Sequence, residues 1–139
     1  MPKIAASLDM LRVRSEFVTA AKDGVKVGGP LVGLQWRDRG EPQTLARVGF
    51  TVTKRVGGSV ERTRMKRRLR AAAGQVLADL ARPGCDYVLI ARRTVLDAPF
   101  ERLTREVREV ARRAHGRARS PNAAPAGPLP PDGRRESGR

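Results

Sequence analysis

Apolar positions recur along the chain with two periods, and the switches between them divide it into elements. Leu8, Leu11, Ser15 and Val18 fall at helical spacing, and Gly24 follows, which predicts a helix over 8–22. Val25 to Val27 predicts a short strand and Leu31 to Trp36 a second, separated by Gly28-Gly29-Pro30. Asp38 to Thr44, with Gly40 and Pro42, predicts a loop. From Leu45 to Thr53 the pattern alternates strictly, with Val48, Phe50 and Val52 on one face and Gly49, Thr51 and Thr53 on the other, as in a half-buried strand. After the turn Val56-Gly57-Gly58, Ser59 is placed to cap a helix with Glu61 in its first turn, and Pro83-Gly84 stops it beyond Leu80. Tyr87 to Ala91 is a nearly continuous apolar strand. Asp97 is the expected cap of a last helix, with Pro99 in its first turn and Phe100, Leu103, Val107, Val110, Ala111 and Ala114 as its buried stripe. The order is αβββαβα, and the fold class is α/β, a small two-layer sandwich.

Composition sets the boundaries. The last 24 residues, Gly116 to Arg139, hold five Pro and four Gly and a single large apolar residue, Leu129. Such a segment buries too little surface to order itself, so a folded domain over 1–115 and a disordered tail over 116–139 are expected. The 139 residues suit one domain. No apolar run approaches the ~20 residues that span a bilayer. Met1 to Met10 lacks the long apolar stretch of a secretory leader, and Cys85 is the only cysteine, which together point to the reducing cytoplasm. One Cys and one His are too few for a Cys/His zinc site, and a Ser-His-Asp or Cys-His catalyst would need His115, beside the polar tail.

Charge changes the picture most. The chain has 29 Lys+Arg against 14 Asp+Glu, a formal net charge of +15. Such an excess suits a polyanionic partner, although a GC-rich genome also enriches Arg. Placement separates the two readings. Residues 54–70 hold eight cations against one acid, Glu61. On a helical wheel Met65, Leu69, Ala72, Val76 and Leu80 share one face, while Arg64, Lys66, Arg67, Arg68 and Arg70 spread over the rest. Arg62 and Arg64 sit near the helix N-terminus, where the macrodipole already disfavours cations. The last helix differs. Its Arg102, Arg105, Arg108, Arg112 and Arg113 are interleaved with Glu101, Glu106 and Glu109, and Glu101–Arg105 and Glu109–Arg113 stand at i, i+4, the pattern of a self-neutralising face. Function is therefore placed on the 59–80 helix. Among the five aromatics, Phe17 lies near Arg12 and Arg14, where it could stack on an unpaired base or simply fill the core.

These residues resemble a known family. RVGFTVTKRVGGSVERTRMKRRLRAAA (Arg47 to Ala73), with SEFVTAAKDG (Ser15 to Gly24) before it and CDYVLIARR (Cys85 to Arg93) after it, is similar to the signature of the bacterial ribonuclease P protein component, over roughly residues 8–114. The resemblance implies a left-handed βαβ crossover, against the general right-handed rule. It implies a protein subunit, itself non-catalytic, of a ribonucleoprotein endoribonuclease. The catalytic RNA, with Mg²⁺, would hydrolyse precursor tRNA to release the 5′ leader, and the protein would bind both RNAs and broaden substrate use. Lys54, Arg55, Arg62, Thr63, Arg64, Lys66, Arg67 and Arg70 would meet the catalytic RNA. Arg12, Phe17, Gln35 and Thr51 would line the leader cleft. Thr63 and Gly58 stand where the family usually has Asn, and Gln35 where it often has Tyr.

Two other classes remain in view. A ribosome-associated binding module of the same layered fold would share the charge but not the Lys54-to-Arg70 pattern. A DNA-binding architectural protein would present Asn or Gln beside Arg on a recognition helix, which this chain lacks.

Overall fold

The structure, a computed structural model, describes residues 8–119. Leu8–Met10 forms a strand (β1), not the first turns of a helix, and the helix that follows (α1) covers only Arg14–Asp23. The i, i+3 spacing of Leu8 and Leu11 misled because a three-residue strand is too short to show its own period. β1 pairs in parallel with the alternating strand β4 (Ala46–Thr51), Leu8 opposite Ala46 and Met10 opposite Val48. Leu11 continues the pairing by donating its N–H to the Val48 carbonyl, 3.0 Å. Of the predicted helical stripe, Ser15 and Val18 are exposed; α1 turns Ala20 and half-buried Phe17 inward instead.

The remaining strands are β2 (Val25–Gly28), β3 (Val32–Asp38) and β5 (Cys85–Ala91). The sheet order is β1-β4-β5-β3-β2. β3 runs antiparallel to both β2 and β5, while β4 and β5 are parallel, with the helix α2 (Ser59–Leu80) between them in the chain. β4, α2 and β5 thus form a βαβ unit. α3 (Phe100–Arg119) is last. Leu103 donates to the Pro99 carbonyl, so Pro99 is the N-cap of α3 and not a first-turn residue, and Asp97 lies outside the helix, in the turn after Arg93–Leu96. α3 also carries on through Gly116 to Arg119; the rest of the expected tail, 120–139, lies outside the described residues, as do residues 1–7.

Strand alternation sorts the core. Val32, Leu34, Trp36, Val48, Tyr87 and Leu89 join Met65, Leu69 and Val76 of α2 and Leu103, Val107 and Val110 of α3 in the main core. The intervening β5 residues Val88 and Ile90 face the other way and meet Leu11, Phe17 and Ala20. So α2 and α3 cover one face of the sheet and α1 the other. At about 1.5–3 kcal/mol per fully buried large apolar side chain, the main core carries most of the stability and α1 adds little.

His115 belongs to that core. It is buried, its Nε2 lies 2.6 Å from the Tyr87 hydroxyl, and its ring meets those of Trp36 and Tyr87 edge-on. The Arg82 N–H donates to the same hydroxyl. Burial, with Arg82 nearby, pushes the imidazole pKa down to about 4. Its sequence position beside a polar tail concealed this. Cys85 is likewise buried, its thiol pushed up to about 11 by desolvation. Among the described residues no helix is long and apolar enough to cross a membrane.

Candidate nucleic-acid interface

α2 starts after Gly57 and Gly58. Gly57 has φ +155, and a side chain there would run into Glu61 and Arg93. The cap is Gly58, not Ser59; its N–H donates to Glu61 Oε1, 3.0 Å. The same carboxylate binds Arg93 Nη2 through Oε2, 2.9 Å, and Arg93 Nη1 donates to the Val56 carbonyl. Arg93, with the Gly58 N–H, holds the Glu61 carboxyl below its ordinary value. The one acid of the basic segment is therefore taken by a cation from beyond β5. It neutralises nothing on α2, and it ties the single-turn 3-10 helix Lys54–Val56 to the start of α2.

That arrangement leaves the predicted cations in two groups. Lys54 and Arg55 are exposed on the 3-10 turn. Thr63, Arg64, Lys66 and Arg67 are exposed along α2, and Arg62 and Arg70 are half-buried beside them. Among the described residues none of these cations forms an ion pair. Arg68, on the same helix, differs: it is half-buried and donates to the Ala98 carbonyl, docking α2 on the approach to α3. The inward face is as the wheel predicts, with Ala73 and Leu77 added because α2 also packs on α3.

The comparison helix is built differently from its sequence. Glu101–Arg105 and Glu109–Arg113 do not close as ion pairs. Glu106 is buried, and its Oε2 accepts the N–H groups of Leu31 (2.6 Å) and Val32 (2.8 Å) at the head of β3. Arg113 and Arg117 donate to the carbonyls of Gly28 and Lys26 on the edge strand β2. Part of the charge on α3 is thus spent on internal structure, through long-range bonds that helical spacing cannot show.

On the opposite face of the sheet, α1 stands over the end of β4 and leaves a groove of about 400 Å³. Arg12, Arg14 and Phe17 line one side, Phe50, Thr51 and Val52 the floor, and Lys66 of α2 the far side. Three of the four predicted cleft residues, Arg12, Phe17 and Thr51, come together here. Gln35 does not line it; it sits on β3, opposite Val88 of β5, so β5 lies between it and β4. Gly49 makes the groove possible, because a Cβ there would stand 2.5 Å from Phe17 Cε2. An aromatic ring laid over a glycine, flanked by cations, offers a stacking surface and phosphate ligands together. Lys66 belongs to both the groove and the basic face, so the two surfaces are continuous.

Sequence reasoning missed the buried support of this region. Asp86, at the start of β5, is fully buried and accepts from Arg47 Nε (2.8 Å) and Nη2 (3.0 Å) and from Arg39 Nη1, with Arg37 at 3.7 Å. Arg47 Nη1 reaches on to Glu16 Oε2, 2.5 Å. The hydrogen bond to Asp86 is the main cause that raises the Arg47 guanidinium above its ordinary value. An acid inside the apolar run Cys85–Ala91 was the available signal.

The ribonuclease P family model matches residues 6–115. The chain belongs to the ribonuclease P family. Among curated relatives, the ribonuclease P protein component of Ruegeria pomeroyi is 43% identical over 113 residues, covering 80% of this chain and 90% of the relative. That of Brucella suis is 44% identical over 108 residues, covering 70% and 73%. The solved RNase P protein of Staphylococcus aureus superposes with a TM-score of 0.64 at 22% identity, covering 76% of this chain and 94% of that one. That of Thermotoga maritima gives 0.65 at 21%, covering 76% and 96%. The likeness to the solved structures shows a shared fold.

Proposed function

We propose that this chain is the non-catalytic protein subunit of a cytoplasmic ribonuclease P ribonucleoprotein, which removes the 5′ leader from precursor tRNA by RNA-catalysed hydrolysis. The observation that carries the reading is the unpaired basic face of α2, joined at Lys66 to a groove with an aromatic ring in its wall. Lys54, Arg55, Arg62, Arg64, Arg67 and Arg70 contact the backbone of the catalytic RNA, with Thr63 among them. The groove takes the single-stranded leader, Phe17 against a base and Arg12, Thr51 and Lys66 against the backbone. Gln35 lies outside the groove walls and has no assigned contact.

Mg²⁺ is assigned to the ribonucleoprotein as a whole. Among the described residues no three His, Cys, Asp or Glu side chains cluster to hold an ion, and Asp86 is already surrounded by guanidinium groups. The protein contributes charge neutralisation and placement: ribozyme and substrate are both polyanions, and a chain of net charge +15 screens locally what high salt screens in bulk.

The test is 5′-end release with and without catalytic RNA across Mg²⁺ concentrations. The protein alone is expected to cut nothing and to accelerate the RNA-catalysed reaction near physiological salt. Correct cleavage by RNA-free protein, abolished by one acidic substitution, would make the chain a protein nuclease. In the same system Arg62→Ala and Arg64→Ala should weaken catalytic-RNA binding more than Arg105→Ala, and flatten its salt dependence by about 0.7–0.9 log units per lost contact. Equal losses at all three positions would leave net charge as the only determinant.

A further inference from the structure

We propose that Glu16 and Arg47 are positioning residues that hold α1 over the end of β4 and so set the shape of the groove; the inference rests on the leader-binding reading above. α1 is short and lightly held. Of its ten residues only Ala20 is fully buried, and Val13, at its N-cap, supplies no side-chain cap. The cap comes from Glu16, whose Oε1 accepts the N–H groups of Arg12 and Val13, each at 3.3 Å. Its other oxygen receives Arg47 Nη1 at 2.5 Å, and Arg47 is itself fixed by two bonds to buried Asp86. A continuous line of charge-assisted bonds therefore runs from the middle of the sheet to the first turn of α1. It passes through Glu16, the residue next to Phe17, and ends at Arg12 and Val13, immediately before Arg14. The residues it fixes are the ones that form one wall of the groove.

The proposal is sharp because electrostatics alone predicts the opposite sign. Glu16 is a negative charge beside Arg12 and Arg14. If charge were all that mattered, removing it would tighten binding of a polyanion. If Glu16 positions the wall, removing it loosens binding of the leader.

The test uses the reconstituted holoenzyme and the ratio of affinities for precursor tRNA with a leader and for mature tRNA. Glu16→Ala should lower that ratio about fivefold, the equivalent of one lost helix cap, while affinity for the catalytic RNA stays within about twofold. Glu16→Gln, which keeps the acceptor for the two N–H groups but weakens the bond to Arg47, should fall between. On a Phe17→Ala background Glu16→Ala should lower the ratio by less than it does in the parent, since the wall it positions has lost its ring and keeps only its cations. In the free protein, amide exchange should speed up over residues 14–23 in Glu16→Ala and stay slow in β4 and β5. A ratio unchanged or raised in Glu16→Ala, with Phe17→Ala lowering it, overturns the positioning role alone. If Phe17→Ala leaves the ratio unchanged, the leader reading fails, and unaltered exchange over α1 in Glu16→Ala then overturns the positioning role as well. Should exchange accelerate throughout the sheet as well, Glu16 is a general stability residue and the proposal fails.

Discussion

Gly49 and Phe17 are a matched pair: the ring lies where a β-carbon would otherwise be. Gly49→Ala forces Phe17 aside or strains β4, at a cost of about 1–3 kcal/mol. It is expected to lower the denaturant midpoint and to reduce discrimination between precursor and mature tRNA, while Phe17→Ala reduces discrimination with the smaller loss of a half-exposed ring. A variant of full stability and full discrimination would show that Phe17 has room to move. His115 gives a second residue-scale prediction. In the unfolded chain it binds a proton below about pH 6.5, and in the fold only near 4. The unfolded state therefore holds more protons between these values, and stability falls as pH drops through that window, by up to about 3 kcal/mol, with no contribution from this group above it. Because the chain has one histidine, its ring resonances report the folded titration directly. A midpoint near 6.5 would mean that the imidazole is hydrated and the Tyr87 bond absent.

Among the elements, those with one long, unmixed period were legible in the sequence. The alternation through Val48, Phe50 and Val52 and the wheel of Met65, Leu69, Ala72 and Val76 led directly to β4 and α2. β1 was hidden because three residues cannot establish a period, and its identity comes from pairing with a strand more than thirty residues away. The α2 cations were legible as an unbalanced basic face because nothing local pairs them. The chain Asp86–Arg47–Glu16 was not, since its members are separated by 39 and 31 residues and meet only across the sheet. The same limit hid the work of α3, where Arg113 and Arg117 cover carbonyls of β2. β2 is an edge strand, and such groups otherwise offer themselves to another chain. The double variant Arg113→Ala with Arg117→Ala is expected to self-associate at concentrations where the parent is monomeric, as read by sedimentation velocity, with catalytic-RNA binding reduced by no more than the charge lost. A double variant as monomeric as its parent would show the edge protected by its own twist and by Lys26.

At the scale of the whole molecule, the proposed function asks two surfaces, built on opposite faces of one sheet, to act on two RNAs at once. α2 lies on the core side and α1 on the other, and they approach only past the end of β4, where Val52 and Thr53 lead into the 3-10 turn. Lys66 stands at that junction, exposed, on the helix that carries the basic face and in the wall of the groove. If the surfaces act independently, a substitution should affect one RNA or the other: Phe17→Ala the leader, Arg64→Ala the catalytic RNA. Lys66→Ala is expected to affect both, lowering affinity for the catalytic RNA and the preference for precursor over mature tRNA, each by a few-fold, as for one lost phosphate contact at moderate salt. In the proposed function a long cation at this point serves two phosphate backbones, so Lys66→Arg should keep both the catalytic-RNA affinity and the precursor preference, and Lys66→Gln should lose both. Raising the salt should shrink the catalytic-RNA deficit of Lys66→Ala, because the contact it removes is electrostatic, while the Phe17→Ala deficit, which comes from stacking, should persist. A Lys66→Ala protein with a loss confined to one RNA would mean that groove and basic face are separate sites, with the strand end between them only a spacer.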